Sequence, residues 1–154
     1  MTMLLLAAVH LLALGFGLGA VLARAGALRD APGPGALRRA FRADALWGVA
    51  GGLWLATGLW RWLGAVEKPA EFYLRNGLFH AKLGLFVLVF VLEAWPMVTL
   101  IRWRLAHARG TPAEALMAAP AARRIAAISA VQAVVVVAMV CVAVAVARGY
   151  GARA

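Results

Sequence analysis

A chain of 154 residues that is 65% hydrophobic and 14% charged, with a net charge of +10, does not have the composition of a soluble domain, in which about half the residues are apolar and about a quarter charged. At this length no core is large enough to hide the surplus, which excludes a free cytosolic enzyme, a disulfide-stapled secreted module and a disordered tail. Lipid is the remaining place for it, and the single cysteine, Cys141, allows neither an internal disulfide nor a cysteine metal cluster.

A helix needs roughly 20 apolar residues to cross a bilayer, and four stretches supply them: residues 3–22, 45–63, 78–101 and 125–147. The first holds His10 as its polar side chain and is retained rather than cleaved as a signal peptide, because Arg24 follows its apolar run and no basic residue precedes it. After it, the proline and glycine residues of 31–35 break the helix. Residues 37–41, with Arg38 and Arg39, then form either a short surface helix against anionic headgroups or a solvated loop. The second stretch carries Arg61 near its end, and the third carries His80, Lys82, Glu93 and a kinking Pro96. Thr111, Pro112, Ala113 and Glu114 read as a capping box that starts another short helix. The last stretch, valine-rich but too long for a strand, holds Ser129 and Gln132. The fold class is therefore all-α: one integral membrane domain over residues 1–154, a four-helix transmembrane bundle with short amphipathic segments in its cytoplasmic loops.

Charge orients it. The first connection holds Arg24, Arg29, Arg38, Arg39 and Arg42, and the third Arg102, Arg104, Arg109, Arg123 and Arg124. The second holds Lys68 and Arg75, offset by Glu67 and Glu71. Basic loops stay in the cytoplasm, so both termini face out, against the mild opposition of Arg148 and Arg153. The same placement accounts for the basic balance without a nucleic-acid partner.

Helices in lipid meet through close backbone approach. Gly15 and Gly19 make one GxxxG pair and Gly48 and Gly52 another, while Trp47, Gly51, Trp54, Gly58 and Arg61 share one stripe. That stripe is either a packing seam or the wall of a site for a flat ligand. Ionisable residues inside spans are costly and are candidate functional residues. By depth they form an outer group, His10, Arg61, His80 and Lys82 flanked by Arg75 and Lys68, and an inner group, Asp44, Glu93, Ser129 and Gln132. His10 is either hydrogen-bonded to a neighbouring helix or a metal or haem ligand. His80 is either an interfacial histidine or the second ligand. Lys82 either snorkels outward or joins Arg61 and Arg75 in neutralising carboxylates, such as haem propionates or an acidic substrate. Glu93 lies on the stripe of Lys82 but roughly 16 Å deeper, so the two form no direct pair. It is either protonated and bonded to Gln132 or Ser129, or a member of a proton relay.

Ala43-Asp44-Ala45-Leu46-Trp47-Gly48, Thr57-Gly58-Leu59-Trp60-Arg61, Glu67-Lys68, Phe72-Tyr73-Leu74-Arg75-Asn76, Phe79-His80-Ala81-Lys82, Glu93-Ala94-Trp95-Pro96 and Arg102-Trp103-Arg104 resemble the DUF2214 family of bacterial predicted membrane proteins. The resemblance spans residues 5 to 104 and implies a multi-pass protein of the bacterial inner membrane. The last stretch matches only in being apolar. A weaker similarity, of His10 and of His80-Ala81-Lys82, is to HemJ-type protoporphyrinogen oxidases and CopD-like domains. It implies haem b with His10 and His80 as ligands and Lys82 as a substrate or propionate contact. Two functions stand as expectations. One is a haem b redox protein acting with a quinone or porphyrin-like substrate: His10 and His80 ligate, Arg61, Arg75 and Lys82 hold carboxylates, and Lys82 and Glu93 serve the chemistry. The other is a small transporter or metal- or proton-handling protein along His10, His80 and Glu93. Beside these two stands a non-enzymatic alternative, a structural subunit, as a homo-oligomer or with a membrane-complex partner.

Overall fold

A computed structural model describes residues 2–64, 71, 74–118 and 120–151. Among them the chain is all-helical: α1 (Thr2–Ala27), α2 (Pro34–Leu63), α3 (Gly77–Ala108), the short α4 (Ala113–Met117) and α5 (Pro120–Ala147). Three of these, α1 from Leu4, α3 and α5, are long and apolar enough to cross a membrane. The stretch 45–63 of α2 falls short of that measure, because glycine and tryptophan fill much of its apolar run and count for little on a hydropathy scale. It is nonetheless the end of one continuous 30-residue helix.

The helices overrun the expected spans at their basic ends. Pro34 at the first turn, where its missing N–H is not needed, starts α2 eleven residues ahead of Ala45. Residues 37–41 are therefore neither a surface helix nor a loop: Leu37 and Ala40 are fully buried. Ala27, the last residue of α1, and Leu28 after it carry the chain past Arg24 into the same core. The capping box is not made. Pro112 caps α4 without a side-chain hydrogen bond. Pro96 is buried inside α3, which continues through it.

Packing pairs α1 with α2 and α3 with α5, joins the two pairs through α1 and α5, and leaves α2 and α3 in sparse contact. Two apolar clusters result. One, at the basic end, gathers Leu28, Leu37, Leu100, Trp103 and Ile125. The other, along the middle and far half, gathers Val21, Trp47, Trp54, Val89 and Met139. The glycine pairs are not the seam. Gly15, Gly19, Gly48 and Gly52 are exposed, with nothing within 4 Å of the place a Cβ would take. Close approach occurs instead at Gly17, where a Cβ would sit 3.3 Å from Ala50 Cβ and 3.4 Å from Trp47, and at Gly58, 3.3 Å from His10 Cε1. Around the helix this follows from Trp47, Ala50 and Trp54 turning their stripe of α2 toward α1, which carries Gly48 and Gly52 away from it.

At the far end the C-terminal turn docks on the start of α3. Asn76 caps α3 by accepting from Leu78 N and Phe79 N and donates to Tyr150 O. Gly77 N donates to Gly151 O. Gly151 has φ +78, and a Cβ there would lie 2.7 Å from Leu78 Cγ, so both the backbone angle and the space require glycine.

Candidate functional site

Two polar assemblies lie between the helices. The first separates the two apolar clusters and is centred on Arg24, fully buried. All five guanidinium N–H groups are used. Nε donates to Ser129 Oγ at 2.9 Å, Nη1 to Asp44 at 2.9 Å and Glu93 at 2.7 Å, and Nη2 to Glu93 at 2.7 Å and Gln132 Oε1 at 2.9 Å. Gln132 Nε2 donates back to Glu93 at 2.9 Å, Ser129 passes its own proton to Ile125 O, and Arg104 holds the second oxygen of Asp44 at 2.8 Å. Two cations face two carboxylates, so the node is neutral, and all four long helices enter it.

This node corrects the sequence reading at Arg24, which is not a loop residue but a buried residue of α1 on which the other long helices converge. It also gives Glu93 its partners: its two oxygens form a fork-to-fork pair with Arg24. Gln132 is a partner as expected, whereas Ser129 serves Arg24 instead.

The second assembly is in the other half. His10 is buried, 9% exposed. Thr57 Oγ1 lies 2.7 Å from Leu53 O and gives its proton there, so toward His10 it accepts. His10 Nδ1–H therefore donates to Thr57 at 2.8 Å, and Nε2, left unprotonated, accepts from Trp54 Nε1 at 2.9 Å. The hydrogen-bond network assigns this tautomer. Gly58 presses on the ring edge and Trp54 lies tilted beside it, centroids 5.9 Å apart.

His10 forms part of the wall of a cavity of about 310 Å³. Trp54, Gly58, Arg61 and Trp62 of α2, Phe79 and Lys82 of α3, and Met139, Val140, Ala143 and Val146 of α5 supply much of the rest. Three of the four outer-group residues thus meet: His10, Arg61 and Lys82. His80 does not line the cavity. It is exposed, with Nδ1 3.0 Å from Asn76 O. Arg75 is exposed and also apart, and Lys68 lies outside the described residues. Glu93 belongs to the Arg24 node and does not line the cavity. The stripe of α2 has both of its expected roles: Trp47 packs, and Trp54, Gly58 and Arg61 wall the cavity.

The fit of a haem is tested by the donors. Both nitrogens of His10 are engaged, and iron at Nε2 would displace the Trp54 indole and leave its N–H without a partner. His80 stands outside the cavity that His10 lines. The residues present do not fit a haem held by these two histidines, and among the described residues no group of three His, Cys, Asp or Glu is placed for a metal ion.

With this geometry in place, the comparisons add a family. The chain matches the family described as Predicted membrane protein (DUF2214) over residues 2–151. The chain belongs to that family. The match runs on through α5, beyond the residue 104 at which the sequence resemblance ended. No curated protein and no solved structure matches the chain, so the weaker likeness to HemJ-type and CopD-like proteins finds no support. The chain is a membrane protein of this family, in contact with lipid along its apolar helices.

Sequence reasoning missed Arg24, Trp54 and Thr57 as polar partners. For Arg24 a signal existed: the apolar residues Ala25, Ala27 and Leu28 continue beyond it with no proline before Pro32.

Proposed function

We propose that this protein crosses the bacterial inner membrane four times, α2 included, with both termini outside, and binds a hydrophobic small molecule bearing an acidic or carbonyl oxygen group in the cavity of its outer half. The carrying observation is the cavity itself: aromatic and aliphatic walls, with Arg61 and Lys82 as cations and His10 held in a fixed orientation. Small-molecule sites have this make-up, apolar lining with a few placed polar groups, at about 300–1,000 Å³. At about 310 Å³ the cavity suits a single ring system such as a quinone head and is small for a porphyrin. A proton or cation path from His10 to Glu93 is less well supported, since Arg24 occupies both oxygens of Glu93.

The orientation rests on the exposed arginines that gather at the Arg24 end, Arg29, Arg38, Arg42, Arg102, Arg109, Arg123 and Arg124. A C-terminal alkaline phosphatase fusion is expected to be active, and an inactive one reverses the orientation. The binding reading is tested with the protein in phosphatidylcholine nanodiscs, titrated with 2-naphthoate and followed by tryptophan fluorescence. Saturable quenching that disappears in the Arg61→Gln, Lys82→Gln double variant is expected. Quenching that is linear, or indifferent to those two substitutions, overturns it.

A further inference from the structure

The cavity adjoins a second, smaller volume of about 90 Å³, which shares His10, Trp54, Gly58, Trp62, Phe79 and Lys82 with it and adds Leu55 and Leu59 of α2 and Leu83 and Phe86 of α3. These additions lie along the line where α2 and α3 barely touch. Among the described residues two ring contacts bridge that line: Trp54 meets Phe86 edge-on with centroids 5.5 Å apart, and Trp62 meets Phe79 at 5.6 Å. Between the two bridges, seven or eight residues apart on each helix and so separated by roughly 11 Å, the sides are leucines, with Leu59 41% exposed. The described residues thus outline a window in the side of the protein, with Lys82 on its wall and Arg61 in the larger cavity it adjoins.

We propose that this window is a lateral entrance, and that the ligand is a single-chain amphiphile with a carboxylate head, taken from the membrane rather than from water. The proposal rests on the cavity reading above and deepens it. A long-chain carboxylate meets the charge of Arg61 and Lys82 with its head while its chain passes between α2 and α3 over Leu55, Leu59 and Leu83 into the bilayer. The leucines and aromatic rings match the chain, and the cations match the head. The small volume of the window admits a portion of one chain and leaves the remainder in lipid. Entry along this route keeps the chain in hydrocarbon throughout, so only the head exchanges its surroundings.

The test uses the full chain in phosphatidylcholine nanodiscs, with 9,10-dibromostearate as the probe and dibromostearyl alcohol as the uncharged control. Trp54→Phe and Trp62→Phe identify the fluorescence that bromine reaches. Saturable quenching of Trp54 and Trp62 by the acid, at least five-fold weaker for the alcohol, reduced in the Arg61→Gln, Lys82→Gln variant and reduced again when Leu59→Phe or Leu83→Phe narrows the window, is the expected result. If 2-naphthoate binds through Arg61 and Lys82 while dibromostearate quenches no better than its alcohol, the window proposal falls and the cavity reading stands. If neither probe depends on the two cations, both fall.

Discussion

Replacing Arg24 by methionine is the most informative perturbation of this fold. The substitution removes all five hydrogen bonds of the guanidinium and leaves two carboxylates without their shared counter-charge. They do not suffer equally. Asp44 keeps Arg104, half-exposed, at 2.8 Å, whereas Glu93 keeps only the amide of Gln132. Removing one partner of a buried ion pair costs about 3–5 kcal/mol, because the other charge is left uncompensated. Glu93→Gln alone is milder, since Arg24 retains Asp44, and loss of one charged acceptor costs about 1–3 kcal/mol. In the double variant the orphaned charge is gone, so its cost should fall short of the sum by about 2 kcal/mol, within the range of directly contacting residues. Arg24→Lys should restore only some of the loss, because three donors on a point charge cannot serve four separate side chains. Equilibrium unfolding in mixed lipid–detergent micelles, followed by circular dichroism, measures each. An Arg24→Met protein within about 1 kcal/mol of the unmodified chain, below the lower bound for a buried pair, or costs that simply add, would refute the node as the central tie.

Two other outcomes follow from the same geometry. Gly17→Leu should destabilise by about 1–3 kcal/mol through overpacking, since its Cβ meets Ala50 at 3.3 Å, while Gly19→Leu, with open space, should change little. Equal effects in the same unfolding assay would place the α1–α2 seam elsewhere. Nitrogen NMR of labelled His10 should report a neutral ring protonated at Nδ1, with the Nε2 signal moving in Trp54→Phe as its donor is lost. Protonation at Nε2 would contradict the assigned network.

The depth of polar residues along each helix is legible in the sequence. Asp44, Glu93, Ser129 and Gln132 group by depth alone, and they do meet. Their cation escapes that reading because an arginine closing an apolar run looks the same whether it faces water or a neighbouring helix. The difference lies in how far α1 continues, and that is decided by Ala25, Ala27 and Leu28 burying against α2 and α5, a tertiary matter. The outer group is only half legible for a related reason. His80 and Lys82 are two residues apart and point to different sides of α3, so depth places both and rotation separates them. Glycine spacing tells which faces could approach, and not which do. GxxxG marks a smooth surface on any helix, whereas the seam goes to the face where tryptophan and alanine fill the space around Gly17 and His10.

The uneven distribution of polar contacts has a mechanical consequence. In lipid, apolar helix faces gain nothing from meeting each other, so contact depends on packing and hydrogen bonds. The Arg24 node supplies hydrogen bonds to all four long helices at one end, backed by the apolar cluster of Leu28, Leu37, Leu100 and Ile125. In the other half, α1 holds α2 through His10 and Thr57, but α2 and α3 face each other across two ring contacts and a cavity. Opening that side breaks no hydrogen bond of the node. The four helices are thus fixed in register at the basic end, while the far half of the α2–α3 edge is sparsely packed. The proposed entry from the membrane calls for that combination, because a ligand can enter between neighbouring helices only away from the bonds that fix their register.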